Sequence, residues 1–146
     1  MKLDEIDRRI LDELKRNSRL SMSALGRRIN LSSPSVTERV RQMESFGIIK
    51  KYTIEIDDEK VGFPIQCIIE ATVKTGDYKA FTRFIQDFSN IDFCYRVAGN
   101  ACYMLKMQFE TFAKAEQFIN EINPYAQTVT HFIFSKVDTN SKLINE

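Results

Sequence analysis

The segment LSSPSVTERVRQMESFG, residues 31–47, concentrates hydroxyl, carboxylate, amide and guanidinium side chains within a few turns of chain. If the segment is helical, residues three and four positions apart share a face, so Thr37, Glu38 and Arg41 lie together. Guanidinium and carboxamide groups hydrogen-bond bidentately to purine edges in the DNA major groove, and carboxylate and hydroxyl groups also contact base edges. The candidates for such base contacts are Ser35, Thr37, Glu38, Arg41 and Gln42.

The same segment carries the hydrophobic stripe that a helix needs for packing. The stripe has the spacing i, i+4 and i+7 and consists of Val36, Val40 and Met43. Ser33 can serve as the N-cap with Pro34 at the first helical position, or Ser35 and Glu38 can form a capping box two residues later. Gly47 is suited to end the helix, because glycine adopts the left-handed conformation without strain. With either of these N-terminal caps, the segment is predicted to form one helix whose polar face is exposed.

Charge is distributed unevenly along the chain. Residues 1–51 contain 12 Lys or Arg against 7 Asp or Glu, a net charge of +5, whereas residues 52–146 contain 9 against 13, a net charge of −4. A basic unit joined to an acidic one is typical of an anion-binding module attached to a second domain, and ordinary solvated surface is the competing explanation. The candidates for contacts to DNA phosphates are Arg27, Arg28, Ser33, Arg39, Lys50 and Lys51.

Two further helices precede the segment. Their apolar residues recur with helical spacing and are Ile6, Ile10, Leu11, Leu14, Leu25 and Ile29. Gly26 leaves space for a crossing helix, and Asn30 tolerates the left-handed conformation that ends the second helix. The stretch IIKKYTIEID that follows predicts a strand. Residues 1–56 are therefore expected to form a winged helix-turn-helix, and a three-helix bundle that binds no DNA is the alternative.

The second half of the chain changes to strand-like alternation. Four stretches are predicted to be strands, IQCIIEATVK, IDFCYRVAG, ACYMLKMQF and QTVTHFIFSKV. The residues predicted to share the inner face of the first three are Ile65, Cys67, Ile69, Ala71 and Val73, then Phe93, Tyr95 and Val97, then Tyr103, Leu105 and Met107. Two helices interrupt the strands, with apolar faces formed by Tyr78, Phe81, Phe84, Ile85 and Phe88, and by Phe112, Ala115, Phe118, Ile119 and Ile122.

The order of these elements predicts the fold of the second half. Residues 65–146 read as βαββαβ, a ferredoxin-like α+β sandwich with its helices on one face of an antiparallel sheet, and the charged stretch 57–64 reads as a hinge. The other face of the sheet carries Ile68, Met104 and, depending on register, Phe132 or Ile133. Because a monomer rarely exposes such a patch, we expect a second copy of the domain to cover it.

Catalysis, metal binding and membrane insertion are poorly supported. The single histidine, His131, has no local nucleophile motif, and five glycines form no phosphate-binding loop. Three cysteines, Cys67, Cys94 and Cys102, lack the paired spacing of a zinc site or disulfide framework. The apolar runs are too short for a transmembrane helix, and the charged N-terminus does not resemble a signal peptide. We therefore expect a cytoplasmic protein without metal or cofactor, and a stand-alone small-molecule sensor or oligomerisation protein is the alternative to a DNA-binding regulator.

The first half also contains sequence motifs that resemble those of a known family. The motifs are D-x-x-D-x-x-I-L in LDEIDRRIL, LS-x-x-x-V-x-x-R-V in LSSPSVTERV and E-x-x-GII in ESFGII. These resemble the Lrp/AsnC, or feast/famine, transcription regulators of bacteria and archaea, and most of all their short Bacillus-type members. The resemblance covers essentially the whole chain. It implies DNA binding through residues of about 23 to 42, dimers formed by the sheet domain and often closed into octamers, association with the nucleoid, bending or wrapping of DNA, and a response to amino acids.

One loop departs from the family pattern that this resemblance brings with it. The loop between the second and third strands typically reads G-x-x-D-Y in the family, and here it is GNACY, with Cys102 where the acid is expected. The residues implied to form an effector crevice are Gly99, Asn100, Ala101, Cys102, Tyr103 and Thr130. A neutral thiol is a poor partner for an ammonium group, so we expect a weak response to ordinary amino acids, or a different ligand held through Asn100 and Thr130. The alternative is that Cys102 only packs against a neighbouring subunit.

Overall fold

The chain folds into two compact units. The computed structural model of the protein describes residues 1–74 and 76–137, and these fall into the units Met1–Glu55 and Ile56–Val137. The first unit is built of helices, and the second combines an antiparallel sheet with two helices. Each unit has a hydrophobic core of its own.

Three helices build the first unit. They are α1, Glu5–Arg16; α2, Met22–Ile29; and α3, Ser33–Ser45. Helix α1 begins with a capping box, in which the Asp7 backbone N–H donates to the Asp4 side chain at 2.8 Å and the Asp4 N–H donates to the Asp7 side chain at 3.1 Å. The buried core confirms the predicted stripes and consists of Ile10, Leu14, Leu25, Ile29, Val36, Val40 and Met43.

The segment that leaves α3 differs from the prediction. Gly47 does adopt a positive φ of 68°, and the N–H groups of Ile48 and Ile49 both donate to the Met43 carbonyl, at 2.8 and 3.1 Å, which completes the helix end. The strand predicted over residues 48–57 is not formed within the described chain, where Ile54 is 75% exposed. The physical reason is that a strand requires a neighbour for its backbone groups, and no described segment supplies one. The predicted wing is therefore wrong, whereas the three helices are confirmed.

The second unit has the predicted βαββαβ order. Its elements are β1, Ile65–Val73; α4, Tyr78–Gln86; β2, Ile91–Arg96; β3, Tyr103–Phe109; α5, Phe112–Ile122; and β4, Ala126–Phe132. The strands lie in the order β2-β3-β1-β4, and every neighbouring pair is antiparallel. This topology confirms the ferredoxin-like sandwich, with α4 and α5 packed on one face of the sheet.

Aromatic side chains fill the space between the helices and the sheet. The Phe81 ring stacks on Tyr103 with centroids 4.5 Å apart, and Phe84 stacks on Tyr125 at 4.6 Å. Alternate residues of β1 and β3 point into this core, as their pattern predicts. Phe112 was predicted to lie on the apolar side of α5, but it is 63% exposed and contacts Phe132 at the edge of the layer, 5.2 Å between ring centroids.

Strand β2 contains an irregularity that reverses part of the predicted pattern. Its register with β3 shifts between Ile91 and Phe93, as a β-bulge does when it inserts one extra residue. As a result Ile91 and Cys94 pack against the helix-side core, while Phe93 and Tyr95 stack on each other with centroids 4.8 Å apart. The prediction that Phe93, Tyr95 and Val97 face the core is therefore wrong, because strict alternation does not continue through a bulge.

The face of the sheet opposite the helices remains open in the single chain. Strand register places two rows of side chains across it, Phe93, Lys106, Ile68 and His131 in one row and Tyr95, Met104, Glu70 and Val129 in the next. Tyr95 is 62% exposed and Val129 is 54% exposed. The register also settles the predicted alternative, because Phe132 lies opposite the buried Cys67 on the helix side and alternation leaves Ile133 on the open side.

Candidate nucleic-acid interface

The turn between α2 and α3 fixes the position of α3. Asn30 ends α2 in the left-handed conformation, with φ 61° and ψ 45°, and the N–H of Leu31 donates to the Gly26 carbonyl at 2.9 Å. A Cβ atom at Gly26 would lie 2.5 Å from the Leu31 carbonyl oxygen. The close approach at Gly26 therefore comes from the chain's own turn, whereas the sequence predicted a crossing helix. This tight connection between two helices is the helix-turn-helix arrangement.

Helix α3 begins one residue earlier than predicted. Ser32 is the N-cap, and its hydroxyl accepts from the Ser35 N–H at 3.4 Å and lies 2.8 Å from the Ser35 hydroxyl. Ser33 is the first helical residue, so its assignment as N-cap is wrong. Pro34 then falls at the second position, where its missing N–H costs no intrahelical hydrogen bond. The alternative capping box is also not formed, because Glu38 is bonded further along the helix.

Three candidate base-contacting side chains form one exposed hydrogen-bonded group. The Glu38 carboxylate accepts from Arg41 Nε at 3.0 Å and from Arg41 Nη2 at 2.8 Å, and it also accepts from Gln42 Nε2 at 2.9 Å. These hydrogen bonds, first from Arg41 and then from Gln42, lower the pKa of Glu38 and the carboxylate in turn raises the pKa of Arg41. The group therefore presents a fixed pattern of charge and hydrogen-bonding capacity on the solvent face of α3.

The hydroxyl candidates lie nearer the helix N-terminus on exposed positions. Thr37 donates its hydroxyl proton to the Ser33 carbonyl at 2.8 Å, so its oxygen stays available as an acceptor. Ser35 is exposed and shares a hydrogen bond with Ser32. Small side chains at a helix N-terminus allow a phosphate or a base edge to come close to the free backbone N–H groups.

Arg39 is placed differently from the other candidates for phosphate contacts. Its Nη1 lies 2.7 Å from Asp4 Oδ2 and 2.7 Å from Asp7 Oδ1, and the Asp7 residue is only 2% exposed. The two carboxylates raise the pKa of Arg39, and hydrogen bonds from the Asp7 backbone and then from Arg39 lower the pKa of Asp4. Arg39 therefore ties α3 to the start of α1. Sequence reasoning missed this link, although an acid at Asp7 beside the apolar stripe of α1 was a signal for a buried partner.

The remaining basic candidates are more open to solvent. Arg28 Nη1 pairs with Glu13 Oε2 at 2.7 Å, and Arg27 Nη1 donates to the Ser23 hydroxyl at 3.2 Å. Lys50 and Lys51 are exposed on the segment that follows α3. Among the described residues of this unit, Arg27, Lys50 and Lys51 form no ion pair with a carboxylate, whereas Arg28 and Arg39 do.

The predicted effector residues are only partly brought together. Gly99, Asn100 and Ala101 lie in the β2–β3 loop, and Cys102 closes it, since its carbonyl accepts from the Val97 N–H at 2.9 Å and its N–H donates to the Ala71 carbonyl at 2.9 Å. The Cys102 side chain packs against the core, and the Tyr103 ring is buried against Phe81. Thr130 lies on β4, on the far side of β1 from this loop. Within one chain, β1 therefore lies between the loop and Thr130.

His131 and the cysteines are the remaining candidates for metal binding or catalysis. His131 Nε2 lies 3.1 Å from Glu70 Oε1 on the open sheet face, and among residues 1–74 and 76–137 no group of three or more His, Cys, Asp or Glu is arranged to hold a metal ion. Burial raises the pKa of the Cys67 thiol to about 11 and also raises that of Cys94, which opposes nucleophilic reactivity. None of the helices in the described part of the chain has the length and hydrophobicity that a transmembrane span requires.

Comparison with known proteins gives matches over both units. Residues 3–44 match the AsnC-type helix-turn-helix domain, and residues 66–143 match the Lrp/AsnC ligand binding domain. The HTH-type transcriptional regulator LrpC of Bacillus subtilis (strain 168) is 63% identical over 95% of this chain and 96% of that protein. Its solved structure superposes with a TM-score of 0.92 over 96% of this chain and 100% of that one. A feast or famine regulatory protein of M. tuberculosis, solved in complex with L-methionine, is 26% identical, with a TM-score of 0.88 over 99% of this chain and 100% of that one.

The chain combines a helix-turn-helix, whose third helix has a polar face, with a ferredoxin-like unit. Transcription regulators match it over nearly its whole length, so it is a DNA-binding transcription regulator rather than an enzyme. The chain belongs to the Lrp/AsnC family. The family resemblance drawn from the D-x-x-D-x-x-I-L, LS-x-x-x-V-x-x-R-V and E-x-x-GII motifs is thereby confirmed.

Proposed function

We propose that the protein regulates transcription by sequence-preferring binding of duplex DNA through the exposed face of α3. The observation that carries this proposal is the group of Glu38, Arg41 and Gln42, which is fixed on the solvent side of the helix. Ser35 and Thr37 lie nearer the helix N-terminus and would make the closest approach to the DNA. Because half or more of the hydrogen bonds to DNA go to phosphates, we assign Arg27, Ser33, Lys50 and Lys51 to the backbone. Arg28 and Arg39 contribute less, since carboxylates already hold them.

Binding of a preferred duplex at several salt concentrations tests this proposal. Arg41→Ala should weaken binding by about 1 to 3 kcal/mol, mainly on the preferred site, because it removes a base contact. Lys51→Ala should weaken binding to every sequence and lower the magnitude of the salt slope by about 0.9, the value for one phosphate contact. Lys114→Ala, a matched loss of charge on α5, should change neither. If Arg41→Ala and Thr37→Ala both left DNA affinity and sequence preference intact, α3 would not be the recognition helix.

We further propose that the protein acts as a homo-oligomer, at least a dimer and by family resemblance up to an octamer, on the nucleoid in the cytoplasm. The support is the open sheet face, where Tyr95 and Val129 are 62% and 54% exposed on either side of Met104 and Glu70. Contact between two such faces would remove this apolar surface from water. Residues 57–64 would serve as the hinge between the units; they form a turn in which the Phe63 N–H donates to the Asp58 carbonyl at 2.8 Å.

For the effector, we propose a weak response or none to the common amino acids. The support is the neutral Cys102 in the β2–β3 loop and the separation of Thr130 from that loop by β1. A zwitterion needs an acceptor for its ammonium group, and no acidic side chain stands in GNACY. Titration calorimetry with each common amino acid, including the methionine found with the M. tuberculosis relative, should give no heat of binding at micromolar concentration. A micromolar dissociation constant coupled to a change in DNA affinity would contradict the proposal.

A further inference from the structure

Glu38 occupies a central position among the proposed base-reading side chains. It lies on the exposed face of α3, its carboxylate accepts three hydrogen bonds, and all three come from Arg41 and Gln42. An exposed ion pair three residues apart on a helix contributes little to the stability of the fold. The consequence of this contact therefore lies in what it does to the two side chains that it holds.

The contact selects which edge of Arg41 remains free. A guanidinium group has five N–H donors, one on Nε and two on each terminal nitrogen. Glu38 takes the Nε donor, at 3.0 Å, and one Nη2 donor, at 2.8 Å, which together form the side of the fork. The end of the fork keeps both Nη1 donors and one Nη2 donor. Two parallel donors of this kind match the N7 and O6 acceptors of guanine in the major groove.

The contact also leaves Gln42 with a defined pattern. One Nε2 hydrogen goes to Glu38 Oε1, at 2.9 Å, so the carboxamide keeps one N–H donor and its carbonyl acceptor. Adenine presents one acceptor at N7 and one donor at N6 in the major groove. The free half of the Gln42 carboxamide therefore has the complement of an adenine edge, and a single carboxylate orients both readers.

We propose that Glu38 is a positioning residue that holds Arg41 and Gln42 as a preassembled reader of one guanine and one adenine in each DNA half-site. This inference rests on the proposed function, because it assumes that α3 faces the bases. Side chains fixed before binding lose less conformational freedom when they bind, so the arrangement favours the correct bases over others. The Glu38 charge also repels phosphates, which disfavours binding without base contacts. Glu38 would thus raise the specificity of binding more than its strength.

Selection of preferred duplexes from a random pool, with the full chain, tests the inference. The wild type should enrich one guanine and one adenine position in each half-site. Arg41→Ala removes the guanidinium donors, so it should abolish the preference for guanine and retain the preference for adenine. Gln42→Ala should have the opposite effect. Glu38→Ala should reduce the enrichment of guanine and of adenine at both positions together. It should lower the ratio of affinities for preferred and scrambled duplex by about two- to fivefold, the range that two exposed side-chain pairs on a helix can supply, while affinity for scrambled duplex stays equal or rises.

Two further measurements separate this role from a structural or purely electrostatic one. The thermal unfolding temperature of Glu38→Ala should match the wild type, because the contact is exposed. Glu5→Gln removes the same charge from the start of α1 and should leave both base positions enriched. If Glu38→Ala kept the guanine and adenine preferences, the positioning role would be overturned while DNA recognition by α3 survived. If the wild type itself bound DNA without preference, the proposed base readout and this inference would both fail.

Discussion

At the scale of single residues, Arg39 illustrates how a charged side chain on the recognition helix can serve the fold instead of the DNA. It bridges Asp4 and the buried Asp7, both at 2.7 Å. Removing Arg39 would leave the Asp7 carboxylate buried without its charged partner, which is costly because a buried charge loses its compensation. The residue would therefore act on DNA binding mainly through the position of α3.

We predict that Arg39→Met lowers the free energy of unfolding at pH 7 by about 1 to 3 kcal/mol, the cost of leaving a buried polar group without its partner. The pKa of Asp4 lies below its ordinary value of 3.8, so its share of this stability is present above that pH and is lost as the pH falls through the lowered pKa. The difference in free energy of unfolding between wild type and variant should therefore become smaller below about pH 4. Urea unfolding of both proteins from pH 7 down to pH 3 measures this difference. An equal difference in free energy at pH 7 and at pH 3 would contradict the prediction.

At the scale of elements, the turn between α2 and α3 depends on the missing side chain at Gly26. A Cβ atom there would lie 2.5 Å from the Leu31 carbonyl oxygen, a backbone atom that cannot rotate away. Gly26→Ala should therefore lower the free energy of unfolding by about 1 to 3 kcal/mol, as overpacking does, and weaken DNA binding by displacing α3. Ser23→Ala adds no atom and lies on the exposed side of the same helix, so it serves as the control for the unfolding measurement. A Gly26→Ala variant as stable as the wild type would show that the turn can relax.

The elements also show what local sequence can and cannot specify. The stripes of Val36, Val40 and Met43 and the alternation of β1 predicted their elements correctly, because burial on one side follows the period of the backbone. The bulge in β2 and the missing strand after α3 were not predictable in the same way, since both depend on a partner strand rather than on the segment itself. Arg39 pairs with Asp4 and Asp7, which lie 35 and 32 positions earlier in the sequence. No local sequence pattern reaches over that distance.

At the scale of the whole molecule, the open sheet face determines how copies of the chain would associate. Tyr95 and Val129 stand at the two ends of one row across the four strands. A carboxylate introduced at either position would face apolar surface in the assembly and lose its hydration without a partner.

We expect Tyr95→Glu and Val129→Glu each to raise the dissociation constant of the assembly by roughly tenfold or more, about 1.4 kcal/mol. Light scattering across a dilution series of the full chain measures this. Lys79→Glu changes charge on α4, in the helix layer on the other side of the sheet, and should leave the assembly unchanged. A wild-type chain that stayed monomeric at micromolar concentration would remove the sheet face as the interface.

The contact between Tyr52 and Glu44 has a spectroscopic consequence. The chain contains no tryptophan, and of its five tyrosines Tyr52 is the only one in residues 1–55. Its hydroxyl donates to Glu44 Oε1 at 2.7 Å. The residue is 48% exposed, and partial burial of its phenol, followed by this hydrogen bond, raises the pKa of Tyr52 to about 12. The phenol therefore stays protonated across any pH used for DNA binding. In a sample with isotope-labelled tyrosine, the helical unit contributes a single ring spin system, so nuclear magnetic resonance can follow the end of α3 without an added probe.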